Sequence, residues 1–341
     1  MFCNMRDSNI ELLRLLAMFL VMLVHASFLS IGIPTMLEAH AAPLTTLGRF
    51  LLESTSIICV NVFVIISGWY GVKWHPQKMS QLTFQAYFYS IVAFLFVALV
   101  LGQNILNLDG LRHLLLLDGD DYWFIKSYLI FFILAPALNA FVNTESEQTQ
   151  RYCLLALFSM QTVFGWLSID GAGEFEGGYS ALSFIGLYLL TRYVRIHQQG
   201  FLGTITIRQS LSVFIFITVL QAFLAFLLTW KGVIVVGRLF TYTNPLVIIQ
   251  AFSLVVLFAK IRPFHNKVIN TLASSCLAVY LLHGNTFILR PYYGKMIRNA
   301  YMQENGLNCF FYIVGIIIVF FLGALLIDQV RKFLWNAIVK N

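Results

Sequence analysis

Long stretches in which apolar residues cover every face of a helix constrain this chain most. Residues 214 to 228 read FIFITVLQAFLAFLL and residues 311 to 327 read FYIVGIIIVFFLGALLI. A strand of an outer-membrane barrel would instead alternate apolar and polar residues over about ten positions. The 341 residues are 59% hydrophobic and 11% charged, which is more apolar matter than a soluble core of that size can hide. The pattern predicts an all-α integral membrane protein.

Windows of about 19 residues predict a polytopic bundle of about ten transmembrane helices. Each needs about 20 mostly apolar residues, so ten would use roughly 200 residues and leave roughly 140 for loops and ends. The fifth and eighth are the weakest, because the fifth is short and Asn244 and Pro245 interrupt the eighth. The predicted spans are 10–30, 47–69, 82–102, 122–142, 152–169, 179–197, 209–230, 240–260, 268–289 and 309–330.

The distribution of cationic residues predicts the orientation of these spans. With ten spans and a cytoplasmic N-terminus, fourteen of the 22 Lys and Arg residues fall on cytoplasmic segments, as the positive-inside rule requires. Both termini are then expected in the cytoplasm. We expect a single transmembrane domain over residues 1–341 without an appended soluble domain, and a first helix that is retained rather than cleaved as a signal peptide. In the loop 103–121, spaced leucines favour either a short interfacial helix or a plain connection.

Several function classes lack support in the sequence. The five cysteines are scattered and odd in number, and no His, Cys, Asp or Glu residues recur at ligand spacing on one helix, so we expect neither a disulfide framework nor a metal site. The patterns of dinucleotide-binding, P-loop and serine-hydrolase sites are not found. The net charge of +7 comes without a basic tail, which argues against a nucleic-acid partner.

The first predicted helix carries three ionisable residues, which are costly in a membrane and are therefore candidates for function. Arg14 and His25 are eleven residues apart, so they lie within about 20° of each other around the helix and roughly 16 Å apart along it. Both are expected to face one cavity. Glu11 stands one turn before Arg14 and can pair with it. His25 carries the side chain best suited to general-base work near neutral pH.

The segment NIELLRLLAMFLVMLVHA (9 to 26) resembles the first-helix signature of the acyltransferase-3 family, in which Arg or Lys is followed after ten residues by His. Three further stretches resemble that family in the same order along the chain. They are CVNVFVIISGWYGVKW (59 to 74), DYWFIKSYLIFFILAPALN (121 to 139) and CLAVYLLHGN (276 to 285). The loop after the second helix departs from arginine-rich members, because it contains Lys73, His75 and Lys78.

This resemblance implies acyl transfer from cytoplasmic acetyl-CoA, a co-substrate rather than a bound cofactor, to a hydroxyl of a cell-surface polysaccharide or its lipid-linked precursor. It also implies a multi-pass protein of a bacterial inner membrane, with membrane lipids as its surroundings. The expected catalytic residues are His25 and Arg14. Supporting roles are expected for Glu11, His283, Trp123 and Lys126, and contacts with acyl-CoA for Arg14, Lys73, Lys78, Ser67 and Gly68.

The sequence leaves open the role of His25, the acyl group and the functional class of the protein. His25 could deprotonate the acceptor hydroxyl or accept the acyl group itself. Succinyl transfer is an alternative to acetyl transfer, and the oligomeric state is not determined. A transporter or flippase of a glycan or organic anion, in which buried Arg and His form a pathway, is the competing class. A polysaccharide polymerase shares the composition but gives no reason for the order of the motifs.

Overall fold

The computed structural model describes residues 7–118, 121–168, 174–303 and 306–339, and every regular element in these ranges is a helix. The α-helices, in chain order, are α1 Ser8–Val24, α2 Met36–Ala41, α3 Pro43–Ser56, α4 Cys59–Tyr70, α5 Pro76–Leu95, α6 Leu108–Leu114, α7 Trp123–Thr144, α8 Glu147–Met160, α9 Ala181–His197, α10 Gln199–Thr204, α11 Ile207–Trp230, α12 Pro245–Lys260, α13 Lys267–Ala273, α14 Cys276–His283, α15 Thr286–Ile288, α16 Lys295–Gln303 and α17 Gly306–Val339. The π-helical segments are His25–Ile31, Phe96–Val100, Gln161–Leu167 and Leu289–Gly294, and the 3₁₀ segments are Glu176–Gly178 and Ile234–Phe240.

Seven helices within the described residues are long and apolar enough to cross a membrane. An eighth is added if the pair Lys267–His283 and Thr286–Gln303, bent by 58°, counts as one span. The all-α membrane class is therefore confirmed, whereas length and hydropathy do not support ten spans. The seven are Ser8–Ile31, Pro43–Tyr70, Pro76–Val100, Trp123–Thr144, Ile207–Trp230, Ile234–Lys260 and Asn308–Ile338.

Three of the ten expected spans account for this difference. The helix expected over 179–197 forms as α9 but has only 17 residues, and its last turns carry Arg192 and Arg195. The one expected over 152–169 forms as α8 followed by the π-helical turn Gln161–Leu167, and α8 opens with polar and charged residues. The third, over 268–289, is broken into short helices. All three segments are helical, but none is a single long apolar rod.

The chain divides by its internal contacts into two compact units. The first unit comprises Met1–Val21, Ile33–Trp74 and Lys126–Asn266, and the second comprises Met22–Gly32, His75–Ile125 and Lys267–Asn341. In the first unit, α11 packs against α3 and α12, and α4 packs against α9 and α12. In the second unit, α14 packs against α5 and α17, while the two π-helical turns His25–Ile31 and Leu289–Gly294 pack on each other.

A buried network of polar side chains joins three helices of the first unit. Gln250 of α12 donates to the backbone oxygen of Ser54 at 3.0 Å and to Thr218 Oγ1 at 2.7 Å. Ser54 of α3 in turn donates to the backbone oxygen of Thr218 on α11 at 2.9 Å. Interhelical hydrogen bonds of this kind hold membrane helices together where apolar surface alone gives no driving force.

In the second unit, a buried ion pair of α17 accepts hydrogen bonds from α5. Asp328 and Arg331 of α17 are 0% and 2% exposed, and the Arg331 Nε lies 2.9 Å from Asp328 Oδ1. From α5, Tyr89 and Gln85 donate to the same carboxylate at 3.3 and 3.5 Å. Because both charges are buried, removal of Asp328 would leave the Arg331 guanidinium without compensation, whereas Asp328 also has Lys332 Nζ at 3.5 Å from its carboxylate.

Short helices outside the spans follow local sequence signals. A capping box begins α2, in which the Glu38 backbone nitrogen donates to Thr35 Oγ1 and the Thr35 nitrogen donates to the Glu38 carboxylate. Arg49 adds an ion pair to Glu38 at 2.8 Å. Asn107 caps α6, which confirms that a short helix forms within the loop 103–121. Asn244 caps α12 at the interruption that the sequence predicts.

Candidate active site

His25 stands where the first membrane helix changes its winding. The α-helix Ser8–Val24 passes at His25 into a π-helical turn that runs to Ile31 and ends at Gly32, whose φ is +100°. The changed winding alters the backbone hydrogen bonding, and hydroxyls from nearby residues donate to two carbonyls. The Ser30 hydroxyl donates to the His25 oxygen at 2.5 Å, and the Tyr293 hydroxyl donates to the Met22 oxygen at 2.8 Å. Such π turns are frequent at functional sites.

His25 and His283 form a hydrogen-bonded pair inside the second unit. The Nδ1 of His25 lies 2.9 Å from the Nε2 of His283, and the ring centroids are 5.0 Å apart. His283 ends α14 and is fully buried, whereas His25 keeps part of its surface exposed. The two residues are 258 positions apart in sequence.

The backbone fixes which nitrogens of this pair carry protons. The Nδ1 of His283 lies 2.5 Å from the carbonyl oxygen of Val279, and a carbonyl can only accept a hydrogen bond. In a neutral His283, Nδ1 therefore holds the proton and Nε2 accepts. His25 must then donate from Nδ1, which leaves its Nε2 as the unprotonated nitrogen. We assign these positions from the hydrogen-bond partners. The result is an imidazole poised to take a proton at Nε2.

The chain directly after His283 is held by hydrogen bonds from the segment before α7. Asn285 donates to the Tyr122 hydroxyl at 2.7 Å, and that hydroxyl donates to the carbonyl oxygen of Leu281 at 2.5 Å. Tyr122 has a φ of +47°, a left-handed conformation that is strained for an aromatic residue. Strained residues persist where surrounding contacts determine them, and they cluster at functional sites. These contacts keep the end of α14, and with it His283, in one position.

Arg14 lies in the first unit and forms the ion pair that its spacing from Glu11 predicts. The Arg14 guanidinium lies 2.9 Å from Glu11 Oε1, and the Glu11 side chain is only 5% exposed against 34% for Arg14. Tyr128 is within electrostatic range of Arg14 and hydrogen-bonds Ser67. Arg14 is therefore a positioned cation that keeps part of its surface accessible.

A family model described as an acyltransferase domain matches residues 7–328, which is nearly the whole chain and includes Arg14, His25 and His283. The chain belongs to the acyltransferase-3 family. No curated protein and no solved structure matches the chain at a significant level. The family and the helices establish a multi-pass membrane acyltransferase.

Gly68 of this acyltransferase allows a close approach of two helices. A Cβ added to Gly68 would lie 2.6 Å from the Cβ of Thr191, so α4 and α9 pack backbone against backbone at this point. Ser67 is half-buried and donates to the Phe63 carbonyl at 3.0 Å. The small side chains here shape the packing of the first unit.

The remaining expected residues are dispersed over both units of the acyltransferase. Trp123 and Lys126 are half-buried in the first turn of α7, and the Trp123 ring lies 6.0 Å from that of Phe124. Lys73 is exposed after α4 in the first unit. Lys78 is exposed on α5 in the second unit, where it lines a cavity of about 340 Å³.

A cluster of potential metal ligands stands beside α6, although the sequence led us to expect none. One ligand atom each from His113, Asp118 and Asp121 lie within 4.8 Å of one another. The sequence offered no signal, because the two aspartates fall in a loop rather than at ligand spacing on one helix. The cluster has partners already, since Arg112 pairs with Asp118 at 2.8 Å and Thr286 donates to Asp121 at 2.5 Å. It fastens the loop before α7 to the start of α15.

Proposed function

We propose that this membrane acyltransferase transfers an acetyl group from acetyl-CoA to a hydroxyl of a cell-surface polysaccharide or its lipid-linked precursor. The observation that carries the proposal is the His25–His283 pair within a family of acyltransferases. A pair of imidazoles whose outer nitrogen is unprotonated suits proton removal from a neutral hydroxyl. It does not by itself specify the acyl group or the acceptor, which rest on the family resemblance.

In the proposed reaction, His25 acts as a general base and then as a general acid. Its Nε2 takes the proton of the acceptor hydroxyl while the hydroxyl oxygen attacks the thioester carbonyl. The carbon–sulfur bond then breaks, and the thiolate of coenzyme A leaves with the proton held by His25. No covalent acyl-enzyme is needed, which is why we favour the base over the acyl-carrier role.

His283 is a positioning residue in this scheme. As His25 becomes cationic, its Nδ1–H still donates to His283 Nε2, and this hydrogen bond strengthens because its donor is now charged. The Val279 carbonyl accepts from His283 Nδ1–H and so keeps His283 in the tautomer whose Nε2 is unprotonated. Arg14, fixed by Glu11, is proposed to meet a phosphate of the donor.

The proposal places the protein in a bacterial inner membrane with ten crossings and both termini in the cytoplasm. The excess of Lys and Arg on the expected cytoplasmic segments supports this orientation. For ten crossings, α8 with its π-helical continuation, α9 and the bent pair around His283 must each pass through the bilayer with help from neighbouring helices. Reporter fusions after residues 145 and 200 test the orientation, because both sites are expected on the cytoplasmic side.

The test of the function uses the purified protein in lipid nanodiscs with acetyl-CoA. Release of free thiol is followed with and without a glycan extract, for the wild type, His25→Ala and, as a matched control, the exposed His40→Ala. We expect release that the glycan stimulates in wild type and H40A and that is lost in H25A. Coenzyme-independent uptake of the glycan into vesicles without an acylated product would support the transporter class instead.

A further inference from the structure

A cavity of about 370 Å³ opens in the first unit where α4, α9 and α12 end, and we call it the Trp69 pocket. It is lined by Trp69, Arg195, Gln199, Leu202, Gly203, Val256, Ala259 and Lys260. The Arg195 guanidinium lies over the Trp69 ring at 4.5 Å from its centroid. Lys260 donates to the carbonyl oxygen of Gly203 at 3.2 Å. Within the described part of the chain, two cations and no carboxylate therefore line the pocket.

A third cation stands next to the pocket. Arg192 lies three residues before Arg195, so the two arginines share one side of the last turns of α9. An added Cβ at Gly71, whose φ is +75°, would lie 3.4 Å from the guanidinium of Arg192. The Nε of Arg192 is buried without a hydrogen-bond partner among the described residues. A buried donor without a partner suggests an acceptor that arrives with a ligand.

The surrounding charges show that this end of the first unit is not uniformly positive. Tyr70 lies within electrostatic range of Arg14 and Arg195, and also of Asp7 and Glu11. Glu11 is paired with Arg14 at 2.9 Å. The carboxylates therefore stand on the side of α1, whereas the walls of the Trp69 pocket are cationic and aromatic.

We propose that the Trp69 pocket binds the phosphorylated nucleotide end of the acyl donor, an adenosine 3′,5′-bisphosphate group. Arginine guanidinium groups hold phosphates through paired, charge-assisted hydrogen bonds, and they stack on aromatic rings. A purine can stack on the same indole and guanidinium surfaces. The cavity is large enough for more than a single phosphate, and its wall combines two cations and an indole ring with the aliphatic side chains of Leu202, Val256 and Ala259.

This inference rests on the proposed function, because it assumes a coenzyme A thioester as the donor. The inference also changes which residues are expected to contact the nucleotide end of the donor. Lys73 and Lys78, the cations expected from the loop after α4, line no part of the pocket. The cations of the Trp69 pocket come instead from the ends of α9 and α12, far along the sequence from that loop.

The first test measures binding and needs no turnover. Adenosine 3′,5′-bisphosphate is titrated into the protein in nanodiscs of zwitterionic lipid, with Arg195→Ala, Arg195→Lys and Lys260→Ala as variants. Arg208→Ala serves as the matched control, since Arg208 is exposed on α11 and does not line the pocket. We expect R195A to weaken binding by at least about 10-fold, R195K to weaken it less, and R208A to leave it unchanged. Equal affinity of R195A and wild type, with equal thermal midpoints, overturns the proposal.

The second test separates this proposal from the proposed function. For acetyl-CoA, R195A should raise the donor KM about 10-fold or more and leave kcat within about 2-fold, because Arg195 is proposed to contact the nucleotide and not the reacting atoms. With acetyl-pantetheine, which lacks the nucleotide, R195A and wild type should behave alike. Nucleotide binding that depends on Arg195 without any acyl transfer would support the pocket and refute the proposed function. Acyl transfer with an unchanged donor KM in R195A would support the proposed function and refute nucleotide binding in the pocket.

The phosphate of a lipid headgroup could also bind in the Trp69 pocket. Nanodiscs that contain phosphatidylglycerol distinguish the two sources. Retained nucleotide affinity in the anionic lipid supports the nucleotide. Loss of nucleotide binding there, together with an Arg195-dependent retention of the anionic lipid, would assign the pocket to a headgroup and overturn the proposal.

Discussion

Replacement of His283 by Phe tests how the histidine pair works. The Phe ring fills the space of the imidazole but removes the Nε2 that accepts from His25 at 2.9 Å. His25 Nδ1–H then loses its partner, and the ring is free to hold its proton on either nitrogen. The tautomer with a proton on Nε2 cannot act as a base.

The expected decrease in kcat follows from the hydrogen bond between His25 and His283. Leaving a partly buried donor without its acceptor costs about 1–3 kcal/mol. Since about 1.4 kcal/mol corresponds to a tenfold change in rate, kcat should fall between about 5-fold and about 150-fold. Donor KM should stay close to the wild-type value, because His283 is buried and is not proposed to contact coenzyme A.

The assay is steady-state thiol release with saturating acetyl-CoA and a glycan acceptor, together with the thermal midpoint of each variant. His283→Gln is the conservative variant, because its side-chain oxygen can accept from His25 in place of Nε2. We expect its kcat to lie between those of the wild type and H283F. Full activity in H283F, or equal losses in H283Q and H283F at unchanged thermal midpoints, would refute the proposed role of the hydrogen bond.

Three further predictions concern stability and are checked by thermal unfolding in nanodiscs. Gly68→Ala should destabilise the protein by about 1–3 kcal/mol, because the new Cβ would overlap a neighbouring helix at 2.6 Å, whereas Gly323→Ala, with no atom within 4 Å, should not. Burial raises the pKa of the Glu38 carboxyl, but hydrogen bonds in the cap of α2 and a nearby arginine hold that pKa below its usual value. Because the Glu38 side chain is 40% exposed, its pair with Arg49 contributes less than about 1 kcal/mol. This contribution is present above the unfolded-state pKa and lost as pH falls through the folded-state pKa, so Glu38→Gln should match wild type only in acid. Asp328→Leu should cost about 3–5 kcal/mol by stranding a buried guanidinium, and addition of Arg331→Met should recover most of it; additive losses in the double variant would contradict this reasoning.

Much of the fold is predictable because hydropathy acts locally. Each of the ten expected segments contains a helix, since a run of apolar residues in lipid must satisfy its backbone within the segment. The breaks are harder to foresee. The interruption at Asn244 and Pro245 is visible in the sequence. The bend after His283, by contrast, is held by hydrogen bonds that Asn285 and Thr286 donate to Tyr122 and Asp121, which lie more than 150 positions away.

In the candidate site, too, local contacts are predictable from the sequence and tertiary contacts are not. The Glu11–Arg14 pair follows from one helical turn, and the structure contains it. The contact between His25 and His283 could not be derived from spacing, because it joins the first helix to a late one. The position of Arg195 over Trp69 is likewise a property of tertiary packing, which the sequence does not reveal.

In the proposed reaction, His25 accepts the proton of the hydroxyl to which the acyl group is transferred. The most direct measurement incubates the protein in nanodiscs with isotopically labelled acetyl-CoA and a glycan extract, and follows the label into an alkali-labile ester on the glycan. We expect labelled ester with the wild type, none above background with His25→Ala, and no label on the protein when the acceptor is omitted. Labelled glycan at the wild-type rate from a folded H25A protein would contradict it.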